Sequence, residues 1–304
     1  MISREFVSEL ATGIEPSMAL KEDTDLEVWR GKVMCNYMPQ QCIHFSFDDV
    51  FQDIKDITDH VNDYNSVFEN RLFAWMKDMY DTYGAVFSLY TFNTAPGYDI
   101  SGLPSKYAME LSANSSWLKF GFHAGDINKK YEQDEPEQIA EDYMKFYDAI
   151  MHATGGQIDC IDRVIRLHYF AGTSANIEAL RSCKGGICGL LAADDFEKKR
   201  IAYNLNETET REINRTGEYK KQGLIFLRSQ PRMERVTSIR EIQDEIKSYT
   251  KSKTIELFTH ATCIWDSGKI GGYKVYQVLE EIIRWAHGSG YQFGFAQNLY
   301  ETDI

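Results

Sequence analysis

The sequence has no long run of apolar residues. No segment approaches the roughly 20 consecutive apolar residues that a membrane-spanning helix needs. Residues 1–29 also lack the basic segment followed by an apolar run that marks a secretory signal peptide. We therefore expect a cytoplasmic protein without a membrane span.

Basic residues are in deficit. The chain carries 33 Lys and Arg against 46 Asp and Glu, a net charge of -13, and no basic stripe is interleaved with aromatic residues. Such a surface repels nucleic acids and anionic membranes. We expect no nucleic-acid partner, but a partner that is neutral or cationic, or one that is held through a metal ion.

Cysteines are few, and none forms a CxxC pair. The six cysteines lie mostly in apolar segments: Cys35, Cys42, Cys160, Cys183, Cys188 and Cys263. This placement is typical of reduced thiols in a protein core. A zinc ribbon or a disulfide framework is therefore not expected.

The chain does have a repeated alternation of apolar and amphipathic segments from residue 43 onward. This alternation predicts βα units and a mostly parallel sheet. Seven apolar runs occupy residues 42–47, 84–92, 117–123, 163–170, 186–193, 223–229 and 254–261. We predict an α/β protein in which residues 41–304 form a single (β/α) barrel, distorted, with seven parallel strands. Residues 1–40 are predicted to be an N-terminal arm packed on the barrel.

The helices between these runs carry their own boundary signals. Gly84 ends an amphipathic segment and is suited to a C-cap. Asp134 is a predicted N-cap, and Ser238 with Glu241 predicts another helix start. The polar stretch 204–222 is the longest predicted excursion from the alternating pattern.

Polar side chains collect at the predicted carboxyl ends of the strands. In barrels and parallel sheets these ends meet at one rim, where functional groups gather. The candidates at this rim are Asp48, Asp49, His123, Asp126, Arg166, His168 and His260. A single histidine at a strand end is more often structural, and two adjacent aspartates often cap a helix. Their shared position at one rim favours a site, because one aspartate with two histidines suits Zn²⁺ or another divalent first-row metal.

Four segments carry a resemblance to a known family. The segment HFSFDDV (44–50) resembles the T-F-D-D-G opening motif of the polysaccharide deacetylase family, carbohydrate esterase family 4. FGFHAGD (120–126), RLHYFAG (166–172) and IELFTHA (255–261) are similar to its histidine motif, its R-x-P-x-G segment and its closing strand. The resemblance covers roughly residues 42–262 and implies metal-assisted hydrolysis of an acetyl amide or ester.

The resemblance also implies a role for each matching residue. Asp48 would be the general base that activates water, and Asp49 and His123 would be metal ligands. His260 would be the general acid that protonates the leaving amine, and Arg166 would hold the base carboxylate. The paired carboxylates of Asp48 and Asp49 would both stay ionised, because one faces a divalent cation and the other an arginine.

The third ligand is where this sequence departs from the family pattern. The family has a second histidine four residues after the first, and Ile127 stands there in this chain. His168, in place of the proline of the R-x-P-x-G segment, is the predicted third ligand, and Asp126 is the alternative. Val50 replaces the glycine that follows the paired aspartates.

Three functions follow as hypotheses. The first is a metal-dependent hydrolase, with zinc or another first-row metal, that deacetylates an N- or O-acetylated sugar or a saccharide precursor. The second is a catalytically silent relative that binds a saccharide or a partner protein. The third is an amidohydrolase of the same fold that acts on a non-carbohydrate amide. The sequence does not determine the oligomeric state.

Overall fold

The computed structural model describes residues 41–192, 194–195 and 200–300. The predicted N-terminal arm, residues 1–40, lies outside the described residues. The helices are α1 (Phe51–Asp59), α2 (Arg71–Tyr83), α3 (Ala108–Ala113), α4 (Pro136–Ala153), α5 (Ser174–Ser182), α6 (Glu207–Thr216), α7 (Ile239–Ser248), α8 (Val275–Gly288) and α9 (Ala296–Tyr300). The strands are β1 (Cys42–Asp48), β2 (Phe87–Ala95), β3 (Tyr98–Asp99), β4 (Leu118–Asp126), β5 (Val164–Ile165), β6 (Gly189–Ala192), β7 (Asp194–Asp195), β8 (Arg200–Ile201), β9 (Glu218–Lys221), β10 (Leu224–Arg232), β11 (Thr254–His260) and β12 (Gln292–Phe293).

One curled sheet forms the centre of the described part. Its main parallel strands run in the order β4, β2, β1, β11, β10, β6 and β5. These seven strands correspond to the seven predicted apolar runs, so the prediction of seven parallel strands is confirmed. At the ends of the sheet, Phe120 of β4 forms a one-residue bridge with Ile161, which precedes β5, rather than a ladder. The sheet therefore forms a half-barrel, consistent with a distorted barrel but not a closed one.

The sheet has short additions at its margins. β3 pairs antiparallel with β2, β9 pairs antiparallel with β10, and β12 pairs parallel with β1. β7 and β8 form a separate antiparallel pair. These additions leave the carboxyl ends of the main strands on one rim.

The main strands are covered on both faces, as their composition predicts. β1 is buried from Ile43 to Asp48, and β2 is buried from Phe87 to Asn93. Helix α8 packs an apolar stripe against this core: Val275, Val278, Leu279, Ile282, Ile283 and Ala286. Each fully buried valine, leucine or isoleucine of this stripe contributes about 1.5–3 kcal/mol to folding.

Two of the predicted helix boundaries are confirmed. Gly84 ends α2 in the left-handed region, with a φ of 76° that glycine adopts without steric cost. Ser238 caps α7, and its side chain accepts a hydrogen bond from the Glu241 N–H at 3.1 Å.

One other local prediction is wrong. Asp134 does not cap α4, because the helix begins one residue later with Glu135 at the cap position, and Asp134 instead pairs with Lys129 at 3.4 Å. The stretch 204–222, predicted as an excursion from the alternating pattern, folds into α6 and into β9, which lies outside the main strand order. Asn206 caps α6 through its side chain, and these short-range contacts outweigh the polar composition.

Membrane-spanning helices and disulfide bonds can be assessed for the described residues. No helix in the described ranges is both long and apolar enough to cross a bilayer. The described cysteines are all free thiols, namely Cys42, Cys160, Cys183, Cys188 and Cys263.

Candidate metal site and its acid–base neighbours

Asp49, His123 and His168 converge at the carboxyl rim of the sheet. One potential ligand atom from each of these residues lies within 4.8 Å of those from the other two. His123 Nε2 is 3.5 Å from Asp49 Oδ1. The three residues come from the end of β1, from β4, and from a 3-10 turn (His168–Phe170) after β5. This is the ligand set predicted from the sequence.

The hydrogen bond of His123 Nδ1 determines whether Nε2 can bind a metal. Its Nδ1 lies 2.6 Å from the Arg166 carbonyl oxygen, which can only accept a hydrogen bond, so Nδ1 carries the proton. In the neutral ring, Nε2 then has a free lone pair directed towards Asp49. A histidine held in this way by its other nitrogen is a common arrangement for a metal ligand.

The backbone near the site adopts unusual conformations. Asp49 has a φ of 60°, and Tyr169 and Phe170 have φ values of 59° and 55°. A non-glycine residue in this left-handed region costs on the order of 1–3 kcal/mol and is often found at a functional site. These conformations occur where the chain turns out of β1 and where it passes His168.

The donor groups fit a divalent metal. Asp49 Oδ1 is buried and has no hydrogen-bond partner among the described residues. Burial raises the pKa of the Asp49 carboxyl, and the charge of Asp48 adds to this while His123 opposes it. A cation between the three residues would remove the cost of the buried carboxylate. One carboxylate and two imidazoles match the preferences of Zn²⁺ and its first-row neighbours.

Asp126, the alternative third ligand, is not part of this group. Its Oδ1 accepts a hydrogen bond from the Asn128 N–H at 2.7 Å, as in a local turn. His168 therefore completes the described cluster.

Asp48 lies beside this group and is paired with Arg166. Asp48 Oδ1 accepts a hydrogen bond from Arg166 Nη1 at 2.6 Å, and both side chains are buried. Burial alone would raise the pKa of the Asp48 carboxyl, but nearby positive charge, above all that of Arg166, holds it below its ordinary value. Asp48 is therefore kept ionised although it is almost inaccessible to water.

A buried ion-pair chain below Asp48 was not predicted from the sequence. Arg166 Nη2 also donates to Glu256 Oε1 at 3.2 Å, and Glu256 Oε2 accepts from His44 Nδ1 at 2.5 Å. His44 Nε2 lies 2.9 Å from Ser88 Oγ, which donates its own hydrogen to Asp162. Both nitrogens of His44 therefore donate. Burial lowers the pKa of His44, but the charge and the hydrogen bond of Glu256 raise it above its ordinary value.

This chain balances its charges within the sheet. Two cations, Arg166 and His44, alternate with two carboxylates, Asp48 and Glu256. His44 and Glu256 face each other in the register of β1 and β11. The available signal in the sequence was a titratable residue inside each of two apolar strands, His44 in β1 and Glu256 in β11.

His260 is held by Glu234, a residue that sequence analysis also missed. His260 Nδ1 donates to Glu234 Oε1 at 2.8 Å, and Thr259 Oγ1 donates to Glu234 Oε2 at 2.9 Å. Burial lowers the pKa of His260, but the Glu234 hydrogen bond and the charge of Asp48 raise it above its ordinary value. Burial would raise the pKa of Glu234, yet His260 and Arg232 lower it to about 2.

The rim thus combines three chemical capabilities. It has a metal-ligand group, an ionised buried carboxylate, and a histidine that favours its protonated form. Asp48 and His260 are register partners in β1 and β11, so they lie side by side at the same level of the sheet. Glu234 comes from the turn after the next strand, β10, whose carboxyl end was not considered as a source of functional groups.

Comparison with protein-family models found no match, and a search of curated proteins found no significantly similar sequence.

Proposed function

We propose that this protein is a metal-dependent hydrolase that removes the acetyl group from an N- or O-acetylated sugar or saccharide precursor. The observation that carries the proposal is the convergence of Asp49, His123 and His168 beside a buried ionised aspartate, Asp48. The acetylated sugar as substrate rests on the resemblance of four segments to the polysaccharide deacetylase family.

The residues of the rim support a division of labour. When bound by Asp49, His123 and His168, a zinc-like ion supplies Lewis acidity and lowers the pKa of water towards about 7. Asp48 accepts the proton of the attacking water, and Arg166 holds its carboxylate in place. His260 then donates a proton to the leaving nitrogen or oxygen.

Glu234 and Arg166 act as positioning residues in this proposal. Glu234 fixes the orientation of the His260 ring by accepting a hydrogen bond from its Nδ1. Glu234 also raises the pKa of His260 and so favours the imidazolium form, in which Nε2 carries a proton as well. Arg166 reaches Asp48 with one nitrogen while the other is held by Glu256. A base and an acid held in this way typically contribute 10²–10⁴-fold each to the rate.

The first test is metal content together with turnover. The purified protein is equilibrated with zinc, dialysed, and analysed by mass spectrometry for bound metal. We expect about one zinc ion per chain, and release of acetate from an N-acetylated amino sugar that stops when a chelator is added. A protein that binds no divalent metal, or whose turnover ignores the chelator, would refute the proposal.

A pair of variants tests the ligand assignment. His168→Ala removes one of the three ligand side chains and should weaken zinc binding by at least about tenfold. Loss of a residue that only hydrogen-bonds to a metal ligand already weakens metal binding by about that much. Asp126→Ala is the matched control, because Asp126 is a rim carboxylate outside the group, and its zinc affinity should equal that of the wild type. The opposite pattern would assign the third ligand to Asp126.

A further inference from the structure

Arg232 lies at the rim beside His260, and the proposed mechanism gives it no part. Arg232 is the last residue of β10, and it is the register partner of Phe258 in β11. Residues that face each other on neighbouring strands point to the same face of the sheet, as do residues two positions apart on one strand. Arg232 therefore shares a face with His260 and, through the pairing of β11 with β1, with Asp48.

One carboxylate oxygen holds Arg232 and His260 together. Glu234 Oε1 accepts a hydrogen bond from Arg232 Nε at 2.5 Å and another from His260 Nδ1 at 2.8 Å. Thr259 Oγ1 donates to the other oxygen, Oε2. The guanidinium and the imidazole are therefore neighbours, and Glu234 fixes the position of each. Because the Glu234 side chain is only 11% exposed, this anchor is largely shielded from water.

The outer edge of the Arg232 guanidinium is available to a ligand. The contact with Glu234 is made through Nε, and the two terminal nitrogens form no hydrogen bond to any residue that the structure describes. The side chain is 30% exposed. An arginine that served only to neutralise a carboxylate would be expected to contact both of its oxygens, as such pairs frequently do. The terminal N–H groups instead present a planar fork that fits a carboxylate or a phosphate.

The ion pairs at this end of the rim leave a surplus of positive charge. Arg232 and the protonated His260 share a single carboxylate, that of Glu234. Asp48 faces His260 in the sheet, but its charge is balanced by Arg166 at 2.6 Å. An anion that approaches Arg232 therefore meets a net positive charge rather than a neutral pair.

The positive charge of Arg232 also reaches the metal-ligand group. Burial raises the pKa of the Asp49 carboxyl, and Arg232 is one of the cations that oppose this rise. A divalent metal held by one carboxylate and two neutral imidazoles would keep part of its positive charge and would add to the surplus. An acidic group of a substrate can therefore bind at Arg232 while the acetyl group lies at the metal-ligand group.

We propose that Arg232 binds an acidic group of the substrate, a carboxylate or a phosphate, next to the reacting acetyl group. The substrate class is then an acetylated sugar that carries a negative charge. The assignment of the ligand as an acetylated sugar rests on the proposed function, whereas its negative charge follows from the geometry and the charges at Arg232. Arg232 determines specificity in this proposal and takes no part in proton transfer.

Calorimetric titration measures this preference without turnover. The purified protein is treated with a chelator, so that a phosphate cannot bind a metal ion instead of Arg232. The probes are N-acetylglucosamine, its 1-phosphate, its 6-phosphate, and the corresponding uronic acid, which has a carboxylate at carbon 6. We expect at least one acidic probe to bind about tenfold or more tightly than the neutral sugar, because a charge-assisted hydrogen bond is gained. The identity of that probe distinguishes a phosphate from a carboxylate.

Two variants of Arg232 test the assignment through the ratio of the two affinities. Arg232→Gln removes the charge and should abolish the preference for the acidic probe. A merely structural role would alter the affinity for both probes alike, because Glu234 and His260 would shift for either ligand, and the ratio would stay the same. Arg232→Lys keeps the charge next to Glu234 but loses the planar fork, so it should lower the preference part of the way.

The matched control is Arg235→Gln. Arg235 is exposed, lies in the same 3-10 turn as Glu234 (Met233–Arg235), and forms no ion pair with any residue that the structure describes. Its replacement removes the same charge from the same turn, and it should bind every probe as the wild type does.

The proposal would be overturned if no acidic probe bound more tightly than the neutral sugar. It would also be overturned by a wild-type preference in Arg232→Gln or, should that variant not fold, in Arg232→Lys, and by an equal loss of preference in Arg235→Gln. Failure of the proposed function gives a different result. A preference that depends on Arg232, in a protein without zinc-dependent release of acetate, would support the anion site and refute the hydrolase. Zinc-dependent release of acetate without any such preference would do the reverse.

Discussion

At the scale of single residues, the site depends on groups whose ionisation is set by their neighbours. Asp48 is buried, and it stays ionised because Arg166 is 2.6 Å away. His260 favours its protonated form because Glu234 accepts its Nδ1 proton. The two residues are therefore suited to opposite proton transfers at the same pH.

Replacing Asp48 by Asn tests its role as a base. Asp48→Asn keeps the shape of the side chain but removes its ability to accept a proton, so the rate should fall by about 10²–10⁴-fold. Zinc affinity should not change. His260→Ala should give a similar loss, larger for substrates with a poor leaving amine. Steady-state kinetics with metal analysis measures both, and full turnover in Asp48→Asn would disprove the mechanism.

Glu234→Gln tests how His260 acquires its proton. Glu234 raises the pKa of His260, so its removal should lower that pKa. Since the acid must be protonated, the alkaline limb of the rate profile should move to lower pH. Titration of the His260 ring by NMR should show the same shift without reliance on turnover. An unchanged titration curve would mean that the Glu234 contact does not control His260.

At the scale of secondary-structure elements, helix starts are fixed by specific side chains. Asn70 begins α2, and its Oδ1 accepts hydrogen bonds from the N–H groups of Leu72 and Phe73. Its Nδ2 donates to Asp56 of α1 at 2.9 Å, so one buried side chain joins the start of α2 to α1.

Removal of this cap should cost measurable stability. Asn70→Ala should lower the free energy of unfolding by about 1–2 kcal/mol, because the cap and the bond to Asp56 are both lost. Ser238→Ala, which removes a single exposed cap from α7, is the matched comparison and should cost about 0.5–1 kcal/mol. Urea unfolding measures both. A cost for Asn70→Ala no larger than that for Ser238→Ala would contradict this reading of the contacts.

At the scale of the whole molecule, stability should be greatest in mildly acidic solution. Glu234 and Asp48 have lowered pKa values, so their contribution is present above their unfolded values near 4 and is lost as the pH falls, for Glu234 towards about 2. His44 and His260 have raised pKa values, so their contribution is present below about 6.5 and is lost as the pH rises through their folded values.

Two further effects act in the same direction at high pH. Asp53 is an acid with a pKa raised to about 7, so its ionisation destabilises the fold as the pH rises from about 4 through 7. The net charge of -13 at pH 7 adds self-repulsion. Urea unfolding across the pH range should show stability falling on both sides of a maximum. A curve that keeps rising from pH 6 to pH 9 would contradict this balance.

The sequence alone determined the strands and most of the rim. The seven parallel strands follow from apolar runs of limited length that alternate with amphipathic segments, because such runs must be buried on both faces. The convergence of Asp49, His123 and His168 follows from their positions after parallel strands, whose carboxyl ends share one edge. Gly84 and Ser238 could also be recognised as helix ends, because a helix cap depends on contacts between residues only a few positions apart.

Only the tertiary structure decided which side chains Glu256 and Glu234 contact. Glu256 meets His44 and Arg166 only because β11 lies next to β1 in a particular register, and Glu234 meets His260 only because β10 lies beside β11. Strand order and register depend on contacts between residues far apart in the chain, which no local pattern encodes. For the same reason the sequence did not reveal that the sheet stops short of a closed barrel, or that a cavity forms between α1, α2 and the segment after β11.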